Sequence, residues 1–140
     1  MEKRNILVTG GCGFIGSNLV SGFVAAGHKV TVLDFGGKPF RPDVTFLDVN
    51  VCDKQAVIDA CKGMDTVVHN ASLVHTKHNR ESVIWEVNHQ GTLHVMEACR
   101  VHAIPRLVYI SSASAVYEGE DIINGDETLP YSSISQAPYA

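Results

Sequence analysis

The sequence predicts an α/β protein with a doubly wound parallel sheet. Three observations predict it: short apolar runs alternate with amphipathic helical segments, a glycine cluster joins the first run to the first helix, and an acidic residue closes the second run.

Residues 4 to 9 (Arg-Asn-Ile-Leu-Val-Thr) form a buried-strand pattern ending at Gly10-Gly11. Ile15, Leu19, Val20, Phe23 and Val24 then recur at helical spacing until Gly27, which suits a left-handed helix stop. The alternation continues with strands His28 to Asp34 and Val44 to Asp48, joined by a loop over 35–43 that is too rich in Gly and Pro for a helix. A helix from Asp53 to Lys62, with Asp53 as N-cap, precedes a strand from Asp65 to Asn70. One long helix from about Glu81 to His102 leads to a fifth strand from Arg106 to Ser112. From Ala113 to Pro138 the periodicity fades into Gly, Asn, Asp, Ser and Pro, a long connection of the kind that borders binding sites. The pattern is that of one domain, 1–140, whose sheet is truncated after its fifth strand.

Composition narrows the function. The chain has 140 residues, 45% hydrophobic and 19% charged, with a net charge of -4. No basic face is available to release counterions from phosphates, so nucleic acid is not an expected partner. No apolar stretch approaches the roughly 20 residues of a membrane helix, and the start resembles no signal peptide. Cys12, Cys52, Cys61 and Cys99 lack CxxC spacing and are expected inside regular elements, which fits a reducing, cytoplasmic setting.

Thr9-Gly10-Gly11-Cys12-Gly13-Phe14-Ile15-Gly16 falls between a strand and a helix, the context in which a glycine pattern signifies dinucleotide binding. One glycine makes the tight turn, another lets the backbone approach a pyrophosphate, and Gly16 lets the helix pack on the strand. The free N–H groups at the helix start, at Phe14 and Ile15, then face the phosphates. Asp34 lies 18 residues beyond Gly16, where a carboxylate accepts the ribose hydroxyls and repels a 2′-phosphate. NAD is the expected cofactor. Lys38 and Arg41 in the following loop keep NADP as the lesser alternative.

The spacing Gly10-x-x-Gly13-x-x-Gly16 within TGGCGFIG resembles the extended short-chain dehydrogenase/reductase family, whose members are Rossmann-type enzymes. By that resemblance Asp48 and Val49 match the family's adenine-contacting pair, and Asn70-Ala71-Ser72 the turn bordering the cofactor after the fourth strand. Asn88, in Val87-Asn88-His89-Gln90-Gly91-Thr92, matches an asparagine-glycine-threonine pattern in the long helix. Its physical explanation is structural: Asn88 satisfies nearby backbone groups and Gly91 permits close helix packing.

The family's chemistry uses a tyrosine acidified by a lysine four residues later, with a serine on the substrate oxygen. Ser112 resembles that serine, with Ser111 and Ser114 as alternatives, because Val116-Tyr117-Glu118 departs from the family's hydrophobic-Tyr-Gly pattern. Pro138-Tyr139-Ala140 resembles the start of the Pro-Tyr-x-x-x-Lys helix, which makes Tyr139 the expected acid/base. Family members are considerably longer, so the chain is expected to be the cofactor-binding part of a larger enzyme, with its fifth strand an exposed apolar edge prone to self-association.

Ser111-Ser112-Ala113-Ser114, Glu118-Gly119, Asp121-Ile122, Asn124-Gly125 and Leu129-Pro130-Tyr131 resemble the 3β-hydroxysteroid and sterol-4α-carboxylate 3-dehydrogenase branch. This implies oxidation of a steroid or sterol 3β-hydroxyl by NAD, decarboxylating for a 4α-carboxysterol. It also implies a small-molecule substrate, a full-length homodimer and association of the full-length protein with the endoplasmic reticulum membrane. A nucleotide-sugar epimerase or dehydratase, and a non-catalytic NAD-binding module, are the alternatives. Seven scattered histidines, His75 and His78 among them, form no zinc set, so no metal is expected. Trp85 and the other apolar residues of the long helix read as core or interface.

Overall fold

The computed structural model describes residues 2–38, 40–74 and 81–132. Within them, β1 (Asn5–Thr9), β2 (Lys29–Asp34), β3 (Thr45–Asp48), β4 (Thr66–His69) and β5 (Leu107–Tyr109) form one parallel sheet in the order β3-β2-β1-β4-β5. The chain leaves β1 toward β2 on one side and returns on the other side at β4, so a topological switch lies at their carboxyl ends. Open sheets hold ligands there.

Successive side chains of a strand point to opposite faces, so each central strand feeds two cores. Leu7, Leu33 and Val67 pack with Val57 of α2 (Lys54–Ala60) and with Val95, Ala98 and Cys99 of α4 (Gly91–Val101). Ile6, Val8, Val30, Val32 and Val68 pack on the other face with Val20 of α1 (Phe14–Ala25). Leu7 is fully buried, and truncating it to Ala would cost about 2–5 kcal/mol.

The helix signals act as the residues dictate. Asp53 caps α2 by accepting the Ala56 N–H at 3.1 Å. Gly27 ends α1 with φ +85°, and the His28 N–H returns to the Phe23 carbonyl at 3.0 Å.

Three expectations need correction. The long helix is interrupted: α3 (Glu81–Trp85) and α4 flank a π turn, Glu86–Gln90, where the Gly91 N–H reaches back to the Glu86 carbonyl. The extra residue rephases the helix, so Asn88 faces the loop after β4 while Gly91 sits against Val51. A Cβ on Gly91 would lie 2.8 Å from Val51 Cγ2. β5 is also shorter than expected. Its ladder runs from the Arg106 carbonyl to the Ile110 N–H, all on β4, and Ser111 and Ser112 have left it. Finally, only Cys99 lies within a helix or strand; Cys12 and Cys52 occupy turns, and Cys61 follows the end of α2. All four are free thiols. Burial, with Cys99 nearby, pushes the Cys61 thiol up to about 12, so it stays protonated and unreactive.

Candidate functional site: a glycine-lined cleft at the sheet switch

The turn from β1 to α1 can be read atom by atom. Gly10 has φ +65°, and a Cβ there would lie 2.8 Å from Ala71 Cα, so both conformation and space require glycine. A Cβ on Gly16 would lie 2.1 Å from the Gly10 carbonyl oxygen, which explains the close approach of helix to turn. Gly13 differs: a Cβ there meets only the Gly10 oxygen at 3.4 Å. Its open side is the side on which a ligand backbone can approach.

Gly13 is also the N-cap of α1, and no side chain caps it; the first turn holds no acidic residue. The opening N–H groups of a helix have no partner within it. Phe14 is 88% and Ile15 52% exposed, so the start of α1 lies at the surface. A diphosphate is the complementary ligand.

Asp34, at the end of β2, is tied to this turn. Its carboxylate accepts the Cys12 N–H at 2.8 Å and the Phe35 N–H at 2.9 Å. One N–H on each oxygen leaves further lone pairs for hydroxyl donors. Asp48, paired with Asp34 in the ladder, accepts the Gly36 N–H at 3.0 Å. These bonds fold the 35–38 segment over the ends of β2 and β3. Burial, then Asp34, raise the pKa of the Cys12 thiol, which donates to the Lys38 carbonyl at 3.3 Å.

A cleft of about 570 Å³ joins these parts, running from Gly10, Gly13 and Asp34 past Val49 to Asn70, Ala71 and Ser72. Gly16, against Gly10, and Asp48, bonded to Gly36, flank it, while Phe14 and Ile15 follow Gly13 at the start of α1 and are not among its lining residues. Opposite the glycine turn, the Asn70–Ser72 turn is bound to β1: Thr9 Oγ1 accepts the N–H groups of Asn70 and Ala71, both at 3.1 Å, and Asn70 Nδ2 donates to the Gly10 carbonyl at 3.2 Å. Asn88 clasps the next residue, accepting the Leu73 N–H at 2.8 Å and donating to the Leu73 carbonyl at 3.0 Å. Its structural reading therefore holds.

Ser112 is placed differently. It begins a short 3-10 turn (Ala113–Val116), its hydroxyl donating to Ser114 Oγ at 3.1 Å and accepting the Ser114 N–H at 3.2 Å, and it does not line the cleft. Tyr139, like His75 and His78, lies outside the described residues. Among the described residues no three His, Cys, Asp or Glu side chains converge as metal ligands.

Sequence reasoning missed several participants. Gly11 is required because a Cβ would lie 2.7 Å from Val32 Cγ1, and Gly37 packs on Cys12 and Asp34. The Gly36-Gly37 pair after Asp34 was the available signal. His69, Thr9 and Thr92 form a hydrogen-bonded network behind the cleft, buried at His69 and Thr9 and half-buried at Thr92, and nothing in local sequence pattern marks three such residues as partners.

The residues present suit a dinucleotide: open backbone at Gly13, an uncapped helix start, and a carboxylate at the end of the neighbouring strand. Comparison with known proteins agrees. Residues 7–140 match the model of the 3-beta hydroxysteroid dehydrogenase/isomerase family. The chain is 40% identical over 132 residues to a sterol-4-alpha-carboxylate 3-dehydrogenase, decarboxylating, of Bos taurus, covering 94% of this chain and 37% of the relative. It is 36% identical over 141 residues to a 3-beta-hydroxysteroid dehydrogenase of Mycolicibacterium neoaurum, covering 94% and 38%. Among solved structures it resembles the UDP-glucose 4-epimerase of Thermus thermophilus in complex with NAD, with a TM-score of 0.83, 35% identity, and coverage of 96% of this chain and 46% of that one. The chain thus spans well under half the length of the two enzymes matched by sequence and slightly under half of the epimerase, and by the match over residues 7–140 it belongs to the 3-beta hydroxysteroid dehydrogenase/isomerase family.

Proposed function

We propose that residues 1–140 are the NAD-binding domain of an oxidoreductase that oxidises the 3β-hydroxyl of a steroid or sterol, a 4α-carboxysterol being the favoured substrate. The observation that carries the NAD-binding part is the pairing of an open Gly13 and an uncapped α1 with Asp34 on the next strand, and the likeness to sterol and steroid dehydrogenases supports the substrate. Phe14, Ile15 and Gly16 offer main-chain N–H groups to the diphosphate, while Gly10 and Gly13, whose own N–H groups are donated to the Leu33 and Gly10 carbonyls, shape the turn that lets it approach. Asp34 accepts the ribose hydroxyls, Asp48 and Val49 border the adenine, and Asn70, Ala71 and Ser72 form the opposite wall.

NAD is favoured over NADP. A 2′-phosphate would meet the Asp34 carboxylate, and Arg41 is already engaged by Asp43 through two bonds of 2.8 and 2.7 Å. Bound NAD supplies the hydride acceptor. Tyr139, as the tyrosinate, takes the proton of the substrate hydroxyl as the carbinol carbon loses its hydride to NAD, and Ser112 donates a hydrogen bond to the same oxygen. For Ser112 to do so its hydroxyl must release Ser114. In this reading the full-length enzyme is a homodimer that acts on a small molecule, in the cytoplasm or at the endoplasmic reticulum membrane.

Calorimetry with NAD tests the binding reading, and saturable binding to the folded chain is expected; a folded sample that ignores NAD overturns it. For the reaction, the full-length protein with NAD and a 4α-carboxysterol should release NADH and CO2. The likeness to an epimerase supports a second reading, in which the hydride is returned to a sugar nucleotide. Turnover of UDP-glucose with no net NADH would favour it over the first.

A further inference from the structure

His69 is a buried titratable group that the proposed reaction does not use. It ends β4 directly before the Asn70–Ser72 turn and is 1% exposed. Its Nδ1 lies 2.7 Å from Thr9 Oγ1 and its Nε2 2.9 Å from Thr92 Oγ1.

Counting hydrogens assigns the tautomer. The Thr92 hydroxyl donates to the Asn88 carbonyl at 2.6 Å, so toward His69 it offers only a lone pair, and Nε2 carries the proton. In a neutral ring Nδ1 is then bare and accepts the Thr9 O–H. The two remaining lone pairs of Thr9 Oγ1 receive the N–H groups of Asn70 and Ala71. Every donor meets one acceptor. The groups facing the ring are Thr9 from β1, Thr92 from α4 and Tyr109 from β5, whose ring stacks on it at 5.6 Å and 25°. Burial holds the His69 pKa down to about 4, so the neutral ring this count requires is the form present near neutral pH.

The bonds make one path from the π turn to the cleft: Asn88 carbonyl, Thr92, His69, Thr9, then the amides of Asn70 and Ala71. Asn88 closes the circuit by clasping Leu73. We propose that His69, as its Nε2–H tautomer, is a positioning residue that fixes the Asn70–Leu73 wall of the dinucleotide cleft. This deepens the proposed function and rests on NAD occupying that cleft.

The opposite tautomer exposes the logic. A ring with its proton on Nδ1 would give Thr9 Oγ1 three N–H donors for two lone pairs, and one turn amide would lose its partner. Thr92→Val, which deletes the acceptor for Nε2–H, should drive His69 toward that tautomer.

The test combines nitrogen NMR of the imidazole with calorimetry on the same chain. Wild type should show the Nε2–H pattern at neutral pH; an Nδ1–H pattern, or a charged ring, overturns the proposal whether or not any variant folds. At a temperature where it is folded, Thr92→Val should shift the Asn70 and Ala71 amide resonances and weaken NAD binding about tenfold, the effect of one lost buried hydrogen bond. Thr92→Ser should restore both. Equal NAD affinity in wild type and a folded Thr92→Val with unmoved amides overturns the positioning role. Wild type failing to bind NAD at all sinks the underlying cofactor reading instead, while the imidazole spectrum still decides the tautomer.

Discussion

The turns that follow β1 and β5 leave the same end of one sheet, yet they are built in opposite ways. After β1, Ile6, Leu7 and Val8 are buried, Gly10, Gly11 and Gly16 each sit where a Cβ would collide, and Thr9, Asn70 and Asp34 tie the turn to both neighbouring strands. After β5, the strand itself is 39%, 47% and 51% exposed at Leu107, Val108 and Tyr109, its ladder has one partner strand among the described residues, and the bonds of Ser112 stay within its own turn, to Ser114 and to the Ala115 N–H. The difference teaches that the proposed cofactor cradle is fixed by contacts within these residues. The serine proposed for chemistry rests on a local turn that costs little to rearrange, as it must if Ser112 is to exchange Ser114 for a substrate oxygen.

Breaking the rigid side should have the largest effect. Gly16→Ala forces a Cβ onto the Gly10 oxygen, so we expect a loss of about 3 kcal/mol or more in denaturant unfolding together with loss of NAD binding. Gly13→Ala is the matched control. With only one contact at 3.4 Å it should fold with a change within about 1 kcal/mol while still losing NAD affinity. If Gly13→Ala binds NAD as wild type does, the open side of Gly13 does not face the ligand.

Acid should also act on the rigid side. The His69 pKa is lowered from 6.5 to about 4 by burial, so between those values the unfolded chain binds more protons than the folded one. Stability is therefore full above about pH 6.5 and falls by up to about 3 kcal/mol as pH drops toward 4. Replacing His69 with Gln should flatten this part of the profile; an unchanged slope would assign the loss to other groups.

A smaller effect is expected at the rim. Asp34→Ala should weaken NAD about tenfold, as loss of a charge-assisted bond does, and NADP less, since the repulsion of a 2′-phosphate goes with the carboxylate. Equal loss of both nucleotides would remove Asp34 from the discrimination. The smallest change in stability belongs to the open side. Val108→Lys on the exposed strand should alter unfolding by only about 0.5 kcal/mol while reducing self-association in concentration-dependent sedimentation. Association that survives this charge would locate the sticky surface elsewhere.

Much of the rigid side was legible because its constraints are local. Gly10, Gly13 and Gly16 declare a turn between a strand and a helix within eight residues, Asp53 declares a cap three residues ahead of its donor, and Gly27 declares a stop. The π turn was not legible, since an inserted residue leaves the apolar spacing close to that of an ordinary helix, and the contact it makes, Gly91 on Val51, is remote in sequence. His69 looked like any strand-end histidine. Its partners are 60 residues before it and 23 after it.

By itself, then, the sequence determined the alternation of elements, the parallel sheet and the glycine turn between β1 and α1, because hydrophobic period and glycine stereochemistry act over a few bonds. Tertiary structure alone decided which polar atoms share a proton behind the cradle, where the helix yields a π turn to Asn88, and that β5 ends before its serines. Those outcomes depend on distances between segments that only the closed sheet brings within hydrogen-bond reach.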